Sequence, residues 1–579
     1  MIKNFSFYIL ILLTIAGCRQ TRDELILVPA AKGNSYYGGI LRLSKTEYIH
    51  TLYPPSITDP VSTQVASMIY EGLFKTDPKT LEVIPSLAES YEVNSDSTIY
   101  TFQIKKGVLF HDDPCFPNGK GRELKAGDIV YSLIQLCIKS PDNQGFALFK
   151  NRLKGINEYF ATSDKNKKLI VPEAIKQIDD YHFQLILEKP NPDILFQLTR
   201  PQAFIYPIEA INKYGTVRPK AVGTGPFMLT EVEREISINL SRNPHYHRHD
   251  VPGNQLPFLS QINIQFIPDK RSELAEFKGG NIQMMYHLPP EQFIEIMKIE
   301  SMENKPEGWE HSILVRKPEI VTHYLAFNCA DKFFKSSSLR KAFAYSIDKT
   351  TILSTTLNGE GLEVAEHGLI SPAYPSYPAK NVRGISERQD SARTLLEVAP
   401  IPSEKPTLIF YPDGSRNTLV AIAIVDQIKN TLGIEVNLQP MPLAKLQEAL
   451  TEGKFTIVLL SKTPDYAKPI SYLENFYSRN IISYKGKTYP NVFQYQNKVF
   501  DEWYEKALAA KQATEANAAV LQAEQQLIND AVVIPLWYDE KYMLLKDNLK
   551  NIPTHPLNMD DFSEVYFTPE TQQKEKSKK

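Results

Sequence analysis

The chain has 579 residues, 42% of them hydrophobic and 23% charged, and its 65 basic and 67 acidic side chains leave a formal charge of −2. This is the composition of a globular chain with core enough for several domains, and a balance so near neutral gives no field that recruits nucleic acid or an anionic membrane. The cysteines are Cys18, Cys115, Cys137 and Cys329, without a CxxC pair, which excludes a disulfide scaffold and a zinc or dithiol site of that spacing.

The chain opens on an export signal. Lys3 supplies the positive charge, and residues 5–16 are apolar apart from Ser6 and Thr14. That run is shorter than the roughly 20 apolar residues of a membrane span and suits the core of a signal peptide. It closes on Ile15-Ala16-Gly17-Cys18, which resembles a bacterial lipobox. The resemblance implies removal of residues 1–17 and a diacylglycerol on the Cys18 thiol, with residues 18–35 as a tether. Two acyl chains meet the requirement for stable anchoring. A plain signal peptide or short anchor with an incidental cysteine is the alternative.

Alternation of apolar and polar residues predicts strands at 39–44, 98–104, 182–187, 237–240 and 261–266. A clearer unit follows. Residues 407–411 read as a strand, Pro412-Asp413-Gly414 as a turn, and 417–432 as a helix closed by Gly433. A strand at 434–438, a helix at 443–450 and an apolar strand at 455–460 come next. Strands alternating with helices predict a parallel sheet covered by helices. Ligands of such sheets lie beyond the carboxyl ends of the strands, so residues 412–416 and 461–469 are expected beside a cleft. Residues 500–528 read as helical, 532–537 as an apolar strand, and 570–579 as a disordered polar tail.

Catalytic equipment is sparse. There is no G-x-S-x-G elbow, no H-E-x-x-H, and no S-x-x-K with its companion motifs. Paired carboxylates leave no such signature, so an extracellular hydrolase stays as an alternative. His245, His247 and His249 would share one face of a strand and suit a transition metal, but they follow Asn243-Pro244 and read as solvated loop histidines. His111-Asp112-Asp113 reads as a strand-end turn held by aspartate side chains. Cys115 and Cys137 either pair or stay separate thiols. No cofactor is expected.

Seven blocks then resemble a family. They are Tyr70-Glu71-Gly72-Leu73-Phe74, the stretch from Pro85-Ser86-Leu87 through Phe110-His111-Asp112, and Leu124-Lys125-Ala126-Gly127-Asp128. Gly223-Thr224-Gly225-Pro226-Phe227, Arg242-Asn243-Pro244, Ala326-Phe327-Asn328, and Leu339-Arg340 with Ser346-Ile347-Asp348-Lys349 complete the series. In this order they resemble the solute-binding lipoproteins of ATP-driven peptide importers, the oligopeptide- and dipeptide-binding proteins, solute-binding protein family 5.

The resemblance implies an α/β, two-lobed, three-domain periplasmic-binding-protein-like fold with a hinge and an interlobe ligand cleft. Lobe I would comprise residues 36–72, 200–318 and 538–569, an inserted domain 73–199, and lobe II 319–537. It implies a monomer without catalytic role, on the periplasmic side of a bacterial membrane, handing a peptide to the membrane permease of an ABC importer. A sugar oligomer or metal chelate is the alternative solute. Arg340 and Asp348 would form a structural helix pair. Asp465-Tyr466-Ala467-Lys468-Pro469 resembles the family's DYxxP block, whose aspartate receives the ligand's α-ammonium group; a loop aspartate starting a turn is the plainer reading. The block departs from the family in having Lys462 where a tryptophan is usual, and Leu450 and Leu459 stand where some members place arginines for the peptide carboxylate. Tyr466, Lys462 and Arg416 join Asp465 as candidate ligand-binding residues, the last two as sources of positive charge.

Overall fold

The computed structural model describes residues 28–163, 172–216, 220–399, 401–412, 416–464, 466–484 and 487–569. Its principal sheet has eleven strands among these residues. In chain order they are β1 (Ile40–Lys45), β2 (Phe227–Glu233), β3 (Ser237–Arg242), β4 (Gln261–Phe266), β5 (Met284–Tyr286), β6 (Ser312–Phe327), β7 (Glu363–Val364), β8 (Thr407–Phe410), β9 (Asn437–Pro440), β10 (Ile457–Lys462) and β11 (Val533–Lys546). Across the sheet they lie in the order β2-β3-β4-β1-β5-β11-β6-β10-β8-β9, with β7 on the free flank of β11.

Period-two patterning builds the half on the β2 side. Leu41 and Leu43 of β1 and Ile238, Leu240, Ile262 and Ile264 of its neighbours turn to one core, joined by Met284 and Met543. On the other half, Leu325, Phe327, Leu408, Phe410, Ile457 and Leu459 pack under the helix α1 (Arg416–Leu432) through Ile424 and Ile428. β8, β9 and β10 are parallel, as the strand–helix alternation predicts; the sheet as a whole is mixed.

Two long strands, β6 and β11, span both halves. They pair antiparallel from Ser312↔Lys546 to Pro318↔Glu540, and again from Thr322↔Tyr538 onward. The lobe boundaries expected at 318/319 and 537/538 fall inside them. Reading an apolar strand only to Trp537 missed the larger part of β11, because Asp539-Glu540-Lys541 breaks the apolar pattern. All three side chains are nevertheless buried.

A separate four-stranded sheet lies in the region between β1 and β2, ordered Ala88–Val93, Ile99–Ile104, His182–Ile186, Ile175–Gln177. Phe102 and Phe183 stack across it with ring centroids 4.9 Å apart. The Gly223-Thr224-Gly225 block is a close backbone crossing: a Cβ on Gly223 would sit 2.2 Å from the Ile69 carbonyl oxygen. Beside it, buried His111 meets the Gly225 carbonyl through Nε2 at 2.9 Å and accepts from the Gly223 amide at Nδ1. Only a neutral imidazole does both, and burial lowers its pKa to about 4.

The helical reading of residues 500–528 holds, as two helices, Lys498–Ala509 and Ala513–Asn529, separated by a stretch without Pro or Gly to signal it. Other expectations are corrected. Arg340 does not pair with Asp348. Its guanidinium donates to the carbonyls of Phe334 and of Asp530, the latter just past the helix Ala513–Asn529, while Asp348 caps its own helix by accepting from the Thr351 amide. His247 is not solvated: its Nε2 lies 3.1 Å from the buried Glu71 carboxylate. Asp113 does hold the expected turn, accepting from the Cys115 amide at 2.7 Å. Cys115 and Cys137 are both free thiols.

Candidate functional site

Strand direction sets the site. β1, β4 and β5 run parallel to one another and, through β11, in the sense of β6. β8, β9 and β10 run the opposite way, β10 pairing antiparallel with β6. The carboxyl ends of the two strand sets therefore point at each other across the middle of β6. There the β6–β11 ladder is interrupted between Pro318 and Thr322. Carboxyl ends are where open α/β sheets take their ligands, and here both halves of the molecule present theirs to one space.

The chain places charge at these ends. Lys45 ends β1, Tyr286 ends β5 with His287 after it, Lys462 ends β10, and Arg416 opens α1 just beyond β8. β11 supplies Asp539, Glu540 and Lys541 from the middle of the sheet.

Most of these charges are paired. Arg416 grips Asp539 with both terminal nitrogens, at 3.0 and 3.2 Å, and reaches the Glu360 carbonyl. His323 Nε2 lies 2.8 Å from the same carboxylate. Burial would raise the Asp539 pKa, but Arg416 and His323 outweigh it and hold the carboxyl well below the usual range. Lys541 stands 3.6 Å from Glu319 and donates to Asn558; burial raises the Glu319 pKa against that lysine's pull. Arg316 pairs with Glu540 at 2.6 Å, and Lys270 with Glu273 at 2.6 Å. His287 is exposed on its open side, yet surrounding protein pushes its pKa down to about 3, with Lys270 adding to the effect.

Two further contacts join the region between β1 and β2 to the half of the molecule that carries β8, β9 and β10. The hairpin turn after Phe74–Thr76 carries Leu81, at φ 60°, into a core shared with Ile320 and Tyr472, where it is 2% exposed. Lys468 forms an ion pair with Asp193 and lies 5.1 Å from the Phe196 ring centroid.

Of the residues singled out from sequence, Arg416 is committed to Asp539. Tyr466 is buried, its ring 6.2 Å from that of Phe196. Lys462 is partly exposed and sits opposite Thr322 in the sheet. Asp465 and Cys18 lie outside the described residues. Sequence reading missed Lys45, Glu319, Asp539 and Lys541. The one available signal was an acid–acid–base run continuing directly from an apolar strand. Among the described residues no group of three or more His, Cys, Asp or Glu side chains is arranged to hold a metal ion, and no helix is long and apolar enough to cross a membrane.

Two sheet halves with facing carboxyl ends, joined by two long strands, define a two-lobed protein built around a ligand cleft. Residues 82–484 match the model of the bacterial extracellular solute-binding proteins, family 5 Middle. The chain belongs to that family. It is 25% identical over 539 residues to the dipeptide-binding protein DppE of Bacillus subtilis, covering 89% of this chain and 91% of that one. It is also 23% identical over 526 residues to heme-binding protein A of Haemophilus influenzae, covering 88% and 89%. Among solved structures, the periplasmic binding protein DppA of Helicobacter pylori, in complex with a peptide, superposes with a TM-score of 0.74 at 20% identity, covering 92% of this chain and 99% of that one.

Proposed function

We propose that this protein captures peptides outside the cytoplasmic membrane and delivers them to the permease of an ABC importer, without acting on them chemically. The observation that carries the reading is the facing of the strand ends across β6, in a family with relatives named for dipeptides and oligopeptides. An extended peptide satisfies its own backbone along strand edges, giving affinity that depends little on side chains. Residues 36–72, 200–318 and 538–569 act as one lobe, 73–199 as an inserted domain and 319–537 as the other lobe, closing about β6 and β11. Asp465 receives the ligand's α-ammonium group, and a lipid on Cys18 holds the monomeric protein at the membrane.

Native mass spectrometry of protein purified without denaturation tests the reading, since an enclosed ligand copurifies. Peptide masses are expected. A porphyrin mass with visible absorbance would favour a second reading, a metal chelate in the same cleft, to which the heme-binding relative gives weight. Cleavage of a peptide by the pure protein would favour an enzyme. For Asp465, an N-acetylated peptide should bind about 30-fold or more weakly than the free one to wild type, and nearly as well as the free one to Asp465→Asn. Equal binding of both forms by wild type removes Asp465 from the site.

A further inference from the structure

The cations around the cleft differ in one respect. Arg316, Lys270, Lys541, Arg416 and Lys468 each have a carboxylate partner within the protein. Lys45 has none: among the described residues no carboxylate oxygen lies within ion-pairing distance of its Nζ, and it makes no side-chain hydrogen bond. Its ammonium sits 3.8 Å from the centroid of the Tyr286 ring.

The nearest acids make their direct contacts with other groups. The Asp560 carboxylate accepts from the His555 amide, from Gln64 and from the Tyr286 hydroxyl. Glu273 accepts from Lys270 and from the Ser44 hydroxyl. Burial lowers the Lys45 pKa to about 7; Asp560 opposes this, while Lys541 and Lys270 add to it. A partly buried ammonium with a tyrosine face beneath it, no carboxylate in direct contact and Asp560 acting only from farther off leaves part of its desolvation cost unmet. An incoming anion would meet it. Lys45 is also the last residue of a strand whose carboxyl end opens on the cleft.

We infer that Lys45 is the receptor for a carboxylate of the bound solute, the cationic counterpart of an ammonium-binding site elsewhere in the cleft. This rests on the peptide reading above and deepens it, because it supplies the anchor for a peptide's carboxyl end in a chain that has Leu450 and Leu459 where arginines were expected. The carboxylate is either the α-carboxylate or an acidic side chain. Both are the same chemistry at Lys45, and they are separable.

The test uses pools of random tripeptides to hexapeptides made as free acids and as C-terminal amides, each with and without Asp and Glu, and reads retained ligands by native mass spectrometry and affinities by calorimetry. Wild type should hold free acids about 30-fold or more tightly than amides. If the acidic side chain is the partner, amides that contain Asp or Glu keep their affinity instead. Lys45→Met should erase that preference, and Lys45→Arg should keep most of it; thermal melts check that both fold, with Lys45→Gln in reserve. If wild type binds acids and amides alike whatever their side chains, or if Lys45→Met keeps the preference, the inference about Lys45 is overturned and peptide capture stands. If no pool binds at all, peptide capture falls, and the inference falls with it.

Discussion

His323 lies flat on Trp537, ring centroids 4.2 Å apart and planes 9° from parallel, with its Nε2 turned to Asp539. The stack aims a second nitrogen at a carboxylate already held by Arg416. Replacing Asp539 by Asn leaves that guanidinium buried without its counter-charge. Removing one member of a buried pair costs about 3–5 kcal/mol, so Asp539→Asn should lower the urea midpoint sharply. The double change Arg416→Met with Asp539→Leu should recover much of the loss. A midpoint unmoved by Asp539→Asn would mean that water already screens the pair.

Glu524 gives a pH signature. It is fully buried, accepts from the Ile370 amide at 2.7 Å and from the Tyr377 hydroxyl, and burial raises its pKa to about 7 against those bonds. An unfolded glutamate titrates near 4.3. The folded state therefore holds the proton more tightly, and its contribution to stability is complete below about pH 4.3 and is lost as pH rises to about 7. The loss is about 3–4 kcal/mol. Glu524→Gln should flatten this part of the stability profile, gaining on wild type between pH 5 and 8. Parallel profiles for the two proteins in denaturant titrations would place the titration elsewhere.

On the proposed division into lobes, the contact between Asp193 and Lys468 should add modestly to what holds the cleft closed. Both side chains are partly screened from water, at 14% and 30% exposure, and a pair of that kind contributes about 1 kcal/mol or less. Lys468→Ala should thus raise the open fraction only a few-fold. Leu81→Ala should do more, because it empties a buried site in the opposing core. Small-angle scattering of the unliganded protein reads both as a larger radius of gyration, and the order of the two effects is the outcome to check.

Lipid attachment is tested apart from ligand binding. Cys18→Ser should move the protein from the membrane fraction to the soluble envelope fraction, or leave residues 1–17 uncleaved, with ligand affinity unchanged. A Cys18→Ser protein that still sediments with membranes after carbonate washing would place the anchor in another segment.

How much of this was legible in the sequence differed by element. The strands at 261–266 and 407–411, and the helix running to Leu432, announced themselves through local periodicity, since each carries its own alternating or helical pattern. β11 did not, because Asp539 and Lys541 look like surface residues until Arg416 and Glu319 arrive beside them from distant parts of the chain. The cleft was half legible. Residues 412–416 and 461–469 follow from strand ends within one α/β unit, whereas Lys45 needed the register of β1 against β5, set by pairing across more than two hundred residues. His247 was misread for a similar reason: nothing local to it shows that Glu71 will be its neighbour.

β11 is also the last strand of the principal sheet to be made. Met284 finds its partner only when Leu545 has been synthesised, and Ser312 only with Lys546. Until then β5 and β6 present bare edges, the kind that recruit foreign strands, and contacts so remote in sequence form slowly. A ribosome or a translocation channel releasing this chain from its amino end thus delivers ten strands of a sheet before the one that joins them. A truncation before residue 533 should yield an aggregating fragment and not a smaller folded protein, because the strand that joins the two halves of the sheet lies in the final tenth of the chain.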